Sequence, residues 1–184
     1  MHIEPGDIFL TKSSTWLGKA IRFFSRSVGE SRTQVNHTGI FVSSGEINEV
    51  EIIEALQKTR RIKFKDAYFN SPIEVCIYRF NGLGTYDKEV LVSCASKYVG
   101  DTYGYLKIIA HFLDWCLGGA YIVRRLFFLN NYPICSWLVA QCYAMIGITF
   151  GVRPGAAEPD DIWDYIQANR AMFTEVSPLT YFKD

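Results

Sequence analysis

Three residues of the 184-residue chain have types and settings that could do chemistry together: Cys135, His37 and Glu54. Cys135 belongs to the run from Asn131 to Ile146, whose composition predicts a helix. Asn131 suits an N-cap, and Pro133 suits a first turn, where the amide that proline lacks has no intrahelical partner. Cys135 then falls in the first turn. Free backbone N–H groups and the positive end of the macrodipole favour an anion there, and the anion that cysteine supplies is its thiolate. The same thiol heads an apolar stripe of Leu138 or Val139, Cys142, and Met145 or Ile146. Two roles therefore stand open for it, a nucleophile or a small hydrophobe that fills the core.

A thiol nucleophile needs a neighbouring base, and that base needs a third polar group to fix its tautomer and orientation. His37 opens the β-rich run His37-Thr38-Gly39-Ile40-Phe41-Val42, where it serves either as that base or as a loop-end histidine bonded to backbone. In the next strand-like run, Val50, Ile52, Glu54 and Leu56 alternate onto one face, so Glu54 interrupts an apolar surface. A carboxylate withdrawn from water costs several kcal/mol unless it is partnered. Either its partner is His37 or a nearby arginine, Arg60 or Arg61, or the residue is simply exposed at a sheet edge. Cys142, two turns into the helix, is the rival thiol; dipole help has faded there and the surroundings are apolar, so it is expected to be inert.

The elements that must position these residues follow in order. Asp7 to Thr11 reads as a strand, 16–25 as an amphipathic helix with Lys19, Arg22 and Arg26 on its basic flank, and 28–36 as a loop. Strands are expected at 37–42, 49–56, 62–67 and 73–80, with hairpin-length turns between them that imply an antiparallel sheet. A helix over 86–99 stops at Gly100, and Cys76 and Cys94 read as core. Residues 105–129 are the most apolar part of the chain, but Asp114, Gly118-Gly119 and Arg124-Arg125 break the run well short of the ~18–20 residues that a spanning helix needs. They read as two helices of a buried insertion containing a packed His111, with peripheral membrane contact as the rival. Glu158-Pro159-Asp160-Asp161 opens a last helix, and 173–176 returns as a strand.

Composition narrows the function. A 49% hydrophobic, 15% aromatic chain of this length suits a single globular domain over 1–184. Lys+Arg and Asp+Glu both count 19, so no basic field gathers nucleic acid. The five cysteines are odd in number and spread through predicted elements, which suits reduced thiols. No Cys-x-x-Cys or His-Glu-x-x-His occurs and the three histidines are scattered, so neither a metal nor a cofactor is expected. Met1 to Asp7 lacks the features of a secretory signal, which sets a cytoplasmic expectation.

Five short segments carry a family resemblance: Pro5-Gly6-Asp7-Ile8, the His37 to Val42 run, Ile53-Glu54-Ala55, Ile134-Cys135-Ser136-Trp137-Leu138-Val139 and Glu158-Pro159-Asp160-Asp161. In this order they resemble the circularly permuted NlpC/P60 (YiiX-like) branch of papain-like enzymes, with the histidine strand ahead of the cysteine helix. The resemblance implies an α+β fold, an antiparallel β-sheet or barrel packed against helices. It also implies Cys135 as nucleophile, His37 as general base and acid, and Glu54 as the residue orienting His37. No side-chain oxyanion donor matches, so the backbone N–H of Cys135 takes that place. The expected activity is a cysteine hydrolase working through a thioester, on an amide of a cell-wall-type peptide or on a lipid amide or ester. The alternatives are a lipid acyltransferase or phospholipase similar to LRAT-like enzymes, and a non-catalytic module that holds peptide or lipid.

Overall fold

The computed structural model describes residues 1–13, 34–56, 58–101 and 135–184. The helix predicted over 16–25, the apolar segment 105–129 with His111, and the capping positions Asn131 and Pro133 lie outside the described residues. Among those described, no helix is long and apolar enough to cross a membrane.

Among the described residues, eight strands and four α-helices follow one another: β1 (His2–Ile3), β2 (Ile8–Ser13), β3 (His37–Phe41), β4 (Gly45–Glu46), β5 (Glu51–Ala55), β6 (Thr59–Lys63), α1 (Phe64–Tyr68), β7 (Ile73–Phe80), α2 (Thr85–Ser96), α3 (Cys135–Ala144), α4 (Pro159–Ala168) and β8 (Phe173–Thr180). Six strands make one sheet in the order β6-β5-β3-β2-β7-β8, every neighbouring pair antiparallel. β6 and β8 stand at its two ends, so the arrangement is the α+β sheet packed against helices that the sequence leads one to expect.

The sheet is buried on both faces. Ile8, Leu10, Ile40, Ile53 and Ala55 face one core, shared with Leu91 and Cys94 of α2, most of α3, and Ile162 and Ile166 of α4. Phe9, Phe41, Ile52, Val75 and Ile77 face a second core, closed by Phe64 and Tyr68 of α1. Two-sided burial explains why the strands read as nearly continuous apolar runs instead of clean alternation. Glu54 does share its face with Val50 and Ile52, but the opposite face of β5 is equally dry.

Of the boundaries that differ from expectation, two change what the elements do. The strand predicted over 62–67 ends at Lys63, and the chain turns into α1, which puts Phe64 and Tyr68 one turn apart on its buried side. The last strand runs on to Thr180, past Pro178, which an end strand tolerates because the missing N–H leaves no ladder bond unmade on its open side. Helix α3 is buried around most of its circumference and not along a single stripe, as befits a core helix. It is tied down at both ends: Ser136 Oγ donates to the Ala157 carbonyl at 2.6 Å, and the Tyr143 hydroxyl donates to the Gly6 carbonyl at 2.6 Å.

Candidate active site

The histidine is placed by the start of β3. Asn36 anchors it, its N–H donating to the Thr11 carbonyl at 2.9 Å and its Oδ1 accepting the Ser13 N–H at 3.1 Å. β3 then pairs with β2 through Thr11↔His37, Leu10↔Thr38 and Phe9↔Gly39, but meets β5 only at Ile40 and Phe41. Gly39 is required by what lies over it. A Cβ there would stand 2.4 Å from Phe9 Cζ and 2.9 Å from the Ile53 carbonyl, so only glycine admits the Phe9 ring. That ring in turn contacts both His37, at 6.2 Å between centroids, and Tyr68, at 5.3 Å.

Glu54 is fully buried and fully partnered. Its Oε2 accepts from His37 Nε2 at 2.7 Å and from the Tyr68 hydroxyl at 2.6 Å. Its Oε1 accepts from Arg60 Nε at 2.9 Å and Nη2 at 2.6 Å. Arg60 lies directly across the ladder from Glu54, and Arg61, the other arginine candidate, turns away to Glu51. Burial works against the carboxylate charge, but His37, Tyr68 and Arg60 outweigh it and hold the group at about 2. The Tyr68 hydroxyl is driven well above its usual range, first by burial and then by the Glu54 charge, so it remains a donor.

With Nε2 committed to Glu54, the ring nitrogen left for Cys135 is Nδ1. The imidazole and the Cys135 thiol are hydrogen-bonding partners. The sulfur, at the first described residue of α3, also receives the backbone N–H groups of Thr38 and Ser136. Burial penalises charge on both partners, yet each favours the charged form of the other: the Cys135 thiol is lowered, and His37 is raised to about 10. Both shifts run in the direction of a thiolate facing an imidazolium.

All three residues singled out in the sequence therefore meet at one place. Sequence reasoning missed Tyr68 and the Thr38 N–H as members of it. Arg60 was foreseen only as an alternative partner for Glu54, whereas the carboxylate holds His37 and Arg60 together. Two of the other described thiols move the opposite way from Cys135: burial pushes Cys76 up to about 12, and Cys142 is raised, first by Cys94 and then by burial; Cys94 is lowered by Cys142. Among the described residues, no group of three His, Cys, Asp or Glu side chains is arranged to hold a metal ion.

The layout is a mixed α+β fold whose central antiparallel sheet supports a helix-borne thiol. It matches a solved structure, the metalloprotein YiiX of Escherichia coli O157:H7, with a TM-score of 0.63 over 97% of this chain and 98% of that one, at 17% sequence identity. The two share a fold. No protein-family model and no curated protein matches the sequence.

Proposed function

We propose that the chain is a cysteine hydrolase of the permuted NlpC/P60 type, acting on an amide or ester through a thioester at Cys135. The observation that carries this reading is the unbroken chain of contacts from Cys135 through His37 to Glu54, with the carboxylate itself held by Tyr68 and Arg60. Each residue has a role in it. The Cys135 thiolate attacks the substrate carbonyl carbon, forming a C–S bond while the carbonyl π electrons move onto oxygen. Backbone N–H groups at the start of α3, that of Cys135 foremost, receive the oxyanion. His37 gives its Nδ1 proton to the leaving amine or alkoxide as the carbonyl re-forms. Neutral His37 then takes a proton from water, whose oxygen attacks the thioester and releases the thiolate.

The metal character of YiiX does not carry over to these residues. Both Glu54 oxygens are taken by protein donors, and its carboxylate lies on the far side of the imidazole from the sulfur, so the three side chains do not converge on one point. The substrate class is an amide or ester of a small peptide or lipid.

Mass spectrometry of the intact protein mixed with a cell-wall-type peptide, a lipid amide and a phospholipid tests the reading, with and without an added amine. An acyl group on Cys135 together with product release is expected, and Cys135→Ala abolishes both. Transfer of the acyl group to the amine in preference to water would replace hydrolase with acyltransferase. A Cys135 that acquires no acyl group, and whose alkylation follows the same pH curve in His37→Ala, would leave only a ligand-holding fold.

A further inference from the structure

Helix α1 is the shortest helix around the site, and it carries the Tyr68 hydroxyl. At five residues it is far below the length at which a helix holds its own shape in water, so its position is set by what packs on it. At its start the Phe64 N–H donates to the Val50 carbonyl at 2.9 Å, which ties it to the chain just ahead of β5. Its other support comes from beyond β8. There Tyr181 is exposed, and Phe182 is buried in the second core. The Phe182 ring meets Phe64 edge-on at 5.1 Å between centroids and stacks on Phe69, one residue past α1, at 5.7 Å.

Polar contacts fix the same segment against both ends of α1. The Asn70 N–H donates to the Phe182 carbonyl and Asn70 Nδ2 to Asp184 Oδ2, each at 2.8 Å. Lys65 Nζ pairs with Asp184 Oδ1 at 2.5 Å. The Asp184 contacts are exposed and contribute little, so the buried ring carries the grip. From there the contacts run inward. Phe64 packs on Tyr68 at 5.1 Å, and the Tyr68 hydroxyl donates to Glu54 Oε2 at 2.6 Å, beside the His37 bond to the same oxygen. A hydrogen bond weakens steeply once its donor moves out of range or line, so a small displacement of α1 reaches the carboxylate.

We propose that Phe182 is a positioning residue of the active site: by clamping Phe64 and Phe69 it sets where α1 holds the Tyr68 hydroxyl, and through that hydroxyl the Glu54 carboxylate that orients His37. The inference rests on the hydrolase reading and extends its chain of contacts by two rings, from Tyr68 through Phe64 to Phe182. A ring that only fills the core would change stability and leave the chemistry of the thiol alone. A ring that places Tyr68 changes both, and its effect on the thiol disappears once the Tyr68 hydroxyl is gone.

Phe182→Leu keeps an apolar side chain in the core and removes both ring contacts, so the variant folds with a lower urea midpoint. Phe182→Met makes the same comparison with a more adaptable side chain. Alkylation of Cys135 by iodoacetamide is followed peptide by peptide across pH in the full chain, for wild type, Phe182→Leu, Tyr68→Phe and the double variant. In Phe182→Leu the midpoint is expected to rise by about half a pH unit, which slows the reaction on the acid side about threefold. The double variant is expected to match Tyr68→Phe alone. A wild-type curve in both Phe182 variants, or a shift that adds in full to that of Tyr68→Phe, overturns the proposal and leaves Phe182 as core filling. His37→Ala separates the two levels: an unmoved curve there rejects the hydrolase reading and this inference with it, whereas a moved one beside unmoved Phe182 variants rejects only the role of Phe182.

Discussion

Substituting Glu54 by glutamine separates an orienting carboxylate from a plain ion pair. The wild-type group accepts four bonds: His37 Nε2 and the Tyr68 hydroxyl on Oε2, and Arg60 Nε and Nη2 on Oε1. Glutamine keeps one acceptor oxygen and puts a donor where the other stood. Arg60 is 44% exposed and can turn to water, so the surviving oxygen stays with His37 and Tyr68 while the new NH2 displaces Arg60. A charge-assisted hydrogen bond contributes about 1.5–3 kcal/mol net, so the variant loses about 2–3 kcal/mol of stability. The lost counter-charge on His37 is worth a similar amount, or about 1–2 pH units at ~1.4 kcal/mol per unit. The sulfur loses its cation by the same measure, so the midpoint of Cys135 alkylation by iodoacetamide, followed peptide by peptide, rises by about 1–2 units. Stability shows the complementary sign. A carboxylate held at about 2 instead of its ordinary 4.5 contributes stability that is fully present above 4.5 and lost as pH falls through about 2. The gap between wild type and Glu54→Gln in urea unfolding therefore narrows from pH 5 downward. A variant that loses this stability but keeps the wild-type alkylation curve would refute the orienting role and reduce Glu54 to a partner for Arg60.

Two further substitutions probe the surroundings of that carboxylate. Tyr68→Phe keeps the ring against Phe9 and Phe64, at 5.3 and 5.1 Å, and removes only the hydroxyl, so urea unfolding reports a loss of about 1–2 kcal/mol while the alkylation midpoint moves by less than in Glu54→Gln. Gly39→Ala drives a methyl into Phe9 and the Ile53 carbonyl, and the displaced ring presses on His37 and Tyr68. Overpacking of this kind costs about 1–3 kcal/mol, and turnover falls together with stability; an alanine variant with wild-type unfolding and turnover would show that Phe9 has room to move.

The parts of the site legible in the sequence are those that leave a periodic trace. Glu54 broke an apolar alternation and His37 opened a β-rich run, and both stand where the pattern put them; Cys135 lies in a helix as expected, though the residues ahead of it lie outside those described. Tyr68 left no such trace, because Phe64–Tyr68 is five residues long, and a single i, i+4 pair between strand-like flanks cannot be told from a continuing strand. The Thr38 N–H was equally invisible, since a backbone donor has no side chain to mark it and is freed for the sulfur only where β3 runs beyond its pairing with β5. Cys94 and Cys142 were each readable as buried, and both face the first core.

Glu54 shows why the two readings of a buried acid are not rivals. A carboxylate in a dry core is retained as an anion only if its neighbours compensate for lost hydration, and His37 alone cannot, because its ring is only 12% exposed and itself needs a partner. Arg60 reaches the site from half-exposed β6 with a charge that stays hydrated at its outer end, and Tyr68 adds a hydroxyl that stays protonated. These two favour ionised Glu54, the Glu54 charge adds to the larger effect of Cys135 in favouring protonated His37, and protonated His37 in turn favours the thiolate form of Cys135. In the proposed mechanism the ion pair is thus what allows the acid to orient the base, with an arginine holding the carboxylate from the side away from the imidazole.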